Sequence, residues 1–131
     1  RRSKVCQRLM TVPGVGPITA LAFAAAIDDP HRFKKSRDVG AYLGLVPQRH
    51  QSGEIDYTGS ISKRGDVKVR TLLYEAANVM LTRYAAPLKL KSWALAIAAR
   101  STMRKARVAL ARRLAIILHA IMRDQTNFKA A

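Results

Sequence analysis

The sequence predicts a mainly α-helical domain that contains a helix-hairpin-helix and a long basic loop between helices. Three observations predict it. Apolar residues recur at helical spacing along most of the chain, and alternating strand patterns are scarce. A Gly-x-Gly turn, "VPGVGP", separates two helix-like segments near the start. A polar, glycine-broken stretch, "QRHQSGEIDYTGSISKRGD" (48–66), lies between apolar segments and leaves room for a short β-hairpin.

Taken in order, Lys4 to Met10 suits a short helix. "TVPGVGP" breaks it with two prolines and two glycines. Pro17 fits the first position of the next helix, "PITALAFAAAI", where its missing N–H costs nothing. That helix is expected to stop near Asp28-Asp29-Pro30. Ser36 is placed to cap a further short helix, "RDVGAYLGL", ending before Pro47. After the loop, Asp66 is placed to cap a helix from Val67 to about Arg83. Its apolar positions Val69, Leu72, Leu73, Ala76, Val79 and Met80 fall on one side. Two segments follow, Leu88 to Ala99 and Met103 to Arg123, and the pattern leaves open whether they are continuous. The expected organisation is one domain over 1–131: a helix-hairpin-helix at about 4–27, a loop at about 46–66 and C-terminal helices at about 67–124.

Composition narrows the function. In 131 residues, Lys and Arg total 24 against 8 Asp and Glu, a formal charge of +16. Such a charge repels itself in the folded state, so a polyanionic partner is expected, nucleic acid first and an anionic membrane surface second. The one cysteine, Cys6, excludes an internal disulfide or zinc cluster and fits a reducing cytoplasm. "LAIILHAIM" is too short to span a bilayer, so no membrane is expected. The chain opens "RRSKV" without an initiator Met and reads as a piece of a longer protein.

Two segments carry chemistry. In "VPGVGPITA", Gly14 and Gly16 permit backbone angles and close approach that a side chain would block. The N–H groups of the turn and of the Pro17 helix then form a donor-rich end for one phosphate, with Gly14, Val15, Gly16 and Thr19 as DNA-binding candidates. Such contacts read backbone, not base sequence. A plain tight turn is the structural alternative. The basic loop is the second segment: Lys63, Arg64, Lys68 and Arg70 can converge near the start of the following helix, the alternative being a solvated loop. On the last helix, Arg100, Arg104, Lys105, Arg107 and Arg112 take one broad side, with Met103, Ala106, Leu110, Leu114, Ile117 and Ile121 on the other. The acids are scattered, and His31, His50 and His119 form no metal motif, so no cofactor is expected here. A serine nucleophile remains, although a free hydroxyl is weak and must be activated. Most Ser-Gly steps in polar loops are turns.

Four stretches then carry a resemblance: "LMTVPGVGPITALAFAAAI", "FKKSRDVGAYLGLVPQRHQSGE", "GSISKRGDVKVRTLLYEAA" and "RKARVALARRLAIILHAIMRD". In this order, over nearly the whole chain, they resemble the C-terminal domain of the DEDD-type insertion-sequence transposases, a group that includes the Piv DNA invertases and the bridge-RNA-guided recombinases. The resemblance implies a two-part enzyme. An N-terminal RuvC-like domain, absent from this chain, would bind magnesium through four acidic residues. The C-terminal domain would supply a serine that attacks DNA and forms a phosphoserine link. The match to that serine is Ser52, before Gly53, with Ser60 and Ser62 less suited. One departure is that Glu54 and Asp56 follow the Ser-Gly step.

On this reading the loop delivers Ser52 to a scissile phosphate. Arg49, His50, Lys63, Arg64 and Arg70 are candidates to hold that phosphate, and His50 is also a candidate base. The family further implies DNA and a guide (bridge) RNA as partners, a dimer or tetramer, and action at the bacterial nucleoid. Two other readings stand beside it: a non-enzymatic helix-hairpin-helix module that grips DNA backbone, and an RNA-binding domain of ribosomal type.

Overall fold

The computed structural model describes residues 3–45 and 63–129, with the backbone alone at 63–66. Among these residues the chain forms six α-helices and one 3-10 turn, with no strand. The mainly helical expectation therefore stands. The stretch with room for a short β-hairpin lies mostly outside the described residues.

Helix α1 (Lys4–Leu9) starts where the Ser3 hydroxyl accepts the Cys6 N–H at 3.2 Å. Helix α2 (Pro17–Ile27) carries proline at its first position and ends at Asp28, which adopts φ +64°. A 3-10 turn (Pro30–Arg32) is capped by Asp29, whose carboxylate accepts the His31 N–H at 2.9 Å. Arg32 folds back so that its Nε donates to the Ile27 carbonyl at 3.1 Å, a cation at a helix C-terminus. The same guanidinium lies over the rings of Phe33 and Tyr42.

Helix α3 (Arg37–Tyr42) follows Ser36, but the Ser36 hydroxyl does not cap it. Helix α4 (Lys63–Thr82) starts a turn earlier than the sequence reading placed it, so Asp66 lies inside the first turn instead of capping it. A carboxylate in that turn favours the helix dipole in either register. Helices α5 (Lys89–Arg100) and α6 (Met103–Asp124) are separate. Thr102 ends the ambiguity: its hydroxyl accepts the Lys105 N–H at 3.0 Å and starts α6 afresh.

The core lies between α4 and α6, which pack most extensively on each other. Helix α5 covers another side of α6, α2 packs on α4, and α1, α3 and the 3-10 turn close the rest. Periodicity located this core well. Val69, Leu73, Ala76 and Met80 of α4 are buried, as are Ala106, Leu110, Leu114 and Ile121 of α6. Met103 departs from the expected stripe and is exposed, because it opens the helix beyond the end of the core. Helix α2 is apolar on every side, so its outer face leaves Ile18 and Leu21 in solvent.

One buried polar network locks α6 to the α2–α3 connection. His119 is fully buried; its Nδ1 lies 2.8 Å from Ser36 Oγ and its Nε2 lies 2.8 Å from the Pro30 carbonyl. A carbonyl can only accept, so Nε2 carries the proton and Nδ1 accepts the serine O–H. Arg123 completes the chain by donating to Ser36 Oγ at 3.1 Å. The hydroxyl that would have capped α3 thus satisfies a buried imidazole instead.

Candidate nucleic-acid interface

The turn between α1 and α2 gives its two glycines different roles. Gly14 has φ +93°, and a Cβ there would stand 2.7 Å from the Ala76 carbonyl oxygen on α4. Its close approach is internal. Val15 is buried, and its N–H donates to the Val12 carbonyl at 3.0 Å. Gly16, at the N-cap of α2, has φ −99° and no atom within 4 Å of a Cβ position. Ordinary residues adopt that backbone, so the turn does not require glycine at 16. Among the described residues, the N–H groups of Gly16, Ile18 and the half-buried Thr19 make no hydrogen bond within the chain. The open donor end of the hairpin is therefore Gly16 to Thr19, with Gly14 and Val15 holding it from behind.

The entry to the basic loop is the second feature. Leu43 and Leu45 are buried on either side of Gly44, which has φ +75°. Two arginines from different helices hold this segment. Arg70 of α4 donates Nη1–H to the Leu43 carbonyl at 3.1 Å, and Arg112 of α6 donates Nε–H to the Leu45 carbonyl at 3.0 Å. Arg70 packs so tightly that a Cβ on Gly44 would collide with its guanidinium. Placed by sequence among phosphate-holding candidates, Arg70 here braces the chain just before the loop. Sequence places Arg112 only on a broad basic face, and its partner Leu45 lies 67 residues away. No local pattern could have paired them.

Ser52, Arg49 and His50, with the alternatives Ser60 and Ser62, lie outside the described residues. Lys63 and Arg64 fall in the first turn of α4, where only the backbone is described. The broad basic side of α6 divides. Arg107 turns toward α4 and donates to Asn78 Oδ1 at 3.3 Å, while Arg104, Lys105 and Arg112 line an open groove of about 480 Å³ with Val108. That groove shares Arg112 with the loop entry.

Among the described residues little of the positive charge is neutralised internally. Among the described residues the ion pairs are His31–Asp29 and Arg123–Asp124. The hydrogen bonds from His31 hold the Asp29 carboxyl below its usual range, and the hydrogen bond from Arg123 does the same for Asp124. Among the described residues no group of three His, Cys, Asp or Glu side chains could hold a metal, and no helix is long and apolar enough to cross a membrane.

The described residues thus form a helical domain with donors open at Gly16–Thr19 and a segment at Leu43–Leu45 held by two arginines. The sequence pattern of the IS116/IS110/IS902 family of transposases matches residues 6–93, and the chain belongs to that family. It is 41% identical over 125 residues to the transposase for insertion sequence element IS1111A of Coxiella burnetii, covering 95% of this chain and 34% of the relative. It is 42% identical over 80 residues to the transposase for IS1328 of Yersinia enterocolitica, covering 61% of this chain and 24% of the relative. It is 31% identical over 122 residues to the pilin gene-inverting protein of Moraxella bovis, covering 92% of this chain and 37% of the relative. The chain thus spans about a third of the length of the first and last of these relatives.

Proposed function

We propose that this chain is the DNA-handling catalytic domain of a transposase or site-specific recombinase, and that Ser52 is its nucleophile. Membership of a transposase family carries the reading, together with the loop entry at Leu43–Leu45, clamped by Arg70 and Arg112 seven residues before Ser52. A nucleophile on a loop needs a fixed base, because small misplacements of reacting groups cost large rate factors.

In the proposed step the Ser52 hydroxyl oxygen bonds to a DNA phosphorus. The bond from that phosphorus to one sugar oxygen breaks, and the serine proton leaves to a base, with His50 as the candidate. A sugar hydroxyl of a second strand then attacks the phosphoserine and releases Ser52 while joining the strands. Arg49, Lys63 and Arg64 are the side chains proposed to stabilise the charge on phosphorus. The donor end at Gly16–Thr19 would hold DNA backbone without reading bases. The magnesium implied by the family does not fit the described residues of this chain, which bring no suitable donors together. It belongs to the proposed RuvC-like domain. DNA and a guide RNA are the proposed partners, a dimer or tetramer the proposed assembly, and the bacterial nucleoid the proposed location.

The second reading is a module that grips DNA backbone without catalysis, which the unpaired donors at Gly16–Thr19 favour equally well. The two separate in the full-length protein. On the catalytic reading, Ser52→Ala abolishes strand exchange while DNA binding persists, and mass spectrometry of the parent finds DNA linked to the Ser52 peptide. Exchange at the parent rate in Ser52→Ala would remove the nucleophile, and a link at Ser60 or Ser62 would move it.

A further inference from the structure

Trp93 lies far in sequence from both elements of the proposed chemistry. It is the one tryptophan in the chain and stands on the first turns of α5, where 39% of its surface is exposed. The indole buries most of its surface but leaves part of its ring open to solvent, where an amphipathic aromatic can meet a partner. The ring borders an open cavity of about 560 Å³ lined by Pro87, Leu88, Lys89, Ser92 and Trp93.

The surroundings choose the occupant. The guanidinium carbon of Arg113, on α6, lies 5.3 Å from the indole centre and braces the ring by a cation–π contact. Lys89 stands at the rim. Among the described residues no acidic group pairs with Arg113 or Lys89. The site therefore sets a partly exposed indole, with Arg113 against its ring, near Lys89, and neither cation is paired with an acid among the described residues. An acidic or apolar protein segment would use only half of that arrangement. An unpaired nucleotide uses all of it: the base stacks on the indole, and the flanking phosphates meet Lys89 and Arg113. Duplex DNA hides its base faces within the stack and has nothing to offer the ring.

We propose that Trp93, with Lys89 and Arg113, forms a stacking site for an unpaired base of single-stranded nucleic acid. The site takes any base, because every base has a π-face. It is separate from the hairpin donors and from Ser52. It rests on the nucleic-acid-binding part of the proposed function and not on the serine chemistry.

The single tryptophan makes the test direct. The chain is titrated with oligothymidylate, oligouridylate, an abasic oligomer of equal length and a duplex, and indole emission is followed beside fluorescence anisotropy of the labelled strand. Base-bearing single strands are expected to quench the emission. The abasic oligomer and the duplex are expected to bind without quenching. Comparing the thymidylate and uridylate arms tells DNA from RNA as the preferred source. Trp93→Ala is expected to weaken base-bearing single strands about tenfold while leaving the abasic oligomer unchanged, and Trp93→Phe to recover part of the loss. Circular dichroism checks that both variants fold, and the quenching of the parent needs no variant. Base-bearing strands that bind without quenching overturn the site and leave nucleic-acid binding intact. Emission that changes with protein concentration alone assigns the surface to a second copy and also overturns it. Absence of any binding would overturn both this site and the proposed function.

Discussion

Gly14 lies against the backbone of Ala76: a Cβ on Gly14 would stand 2.7 Å from the Ala76 carbonyl oxygen, with φ already at +93°. The glycine that the Gly-x-Gly turn cannot lose is therefore the first. The second has no described atom within 4 Å of a Cβ position.

This asymmetry predicts opposite outcomes for two substitutions. Gly14→Ala is expected to destabilise the fold by about 3 kcal/mol, from backbone strain plus the collision with α4. Gly16→Val is expected to stay folded, losing about 1 kcal/mol from a poorer N-cap, yet to bind duplex DNA more weakly by a similar factor for every sequence. Urea denaturation reads the first effect. Binding isotherms on unrelated duplexes at several salt concentrations read the second. A folded Gly16→Val chain with parental affinity and salt slope would make the hairpin a turn and nothing more.

The clamp on the loop entry should matter for both stability and chemistry. Arg112→Ala removes a charge-assisted hydrogen bond and leaves the Leu45 carbonyl without that donor, an expected cost of about 2 kcal/mol. Arg112→Lys should not restore it, because the ammonium lacks the planar fork that reaches the carbonyl. In the full-length protein, strand exchange should fall by more than DNA affinity does. An equal fall in both would reduce Arg112 to a DNA contact.

The Ser36–His119 pair lends itself to a double-mutant cycle. Ser36→Ala leaves a fully buried imidazole nitrogen unsatisfied and should cost about 1–3 kcal/mol. His119→Leu should cost a comparable amount, since it strands the Pro30 carbonyl and leaves the Ser36 O–H without its imidazole acceptor. The double variant should lose clearly less than the two losses added, because both ends of one interaction are gone. Additive losses in urea melts would show that the contact carries no coupling.

Asp124 gives the acid response a defined sign. The hydrogen bond from Arg123 lowers its folded-state pKa below the ordinary carboxylate value. The stabilisation is thus fully present above the ordinary value and is lost as pH falls through the folded-state pKa. Carboxyl NMR titration should find a depressed midpoint, and Arg123→Gln should return it toward the ordinary value. An unmoved midpoint would mean that the ion pair is not populated in solution.

Much of the fold was legible because its signals are local. Pro17 at a helix start, the acid–proline stop at Asp28–Pro30, and the apolar rows Val69–Leu73–Ala76–Met80 and Ala106–Leu110–Leu114 all act within a few residues along one helix. Thr102 separates α5 from α6, a point the apolar pattern alone left open. The charge of +16 and the order of the motifs likewise needed only the sequence. For the candidate site, the sequence supplies names alone: Ser52 and its loop neighbours come from the resemblance and lie outside the described residues.

The tertiary structure decided how the described residues are used. Packing against α4 selects Gly14 over Gly16. Folding brings Arg112 to Leu45 across 67 residues and Ser36 to His119 across 83, turning a surface-face arginine into a brace and a helix cap into a buried hydrogen bond. The reason is physical. Helical periodicity and capping follow from hydrogen bonds between residues three or four apart. The partner of a long polar side chain follows from which carbonyl or imidazole the packed helices leave in need of one.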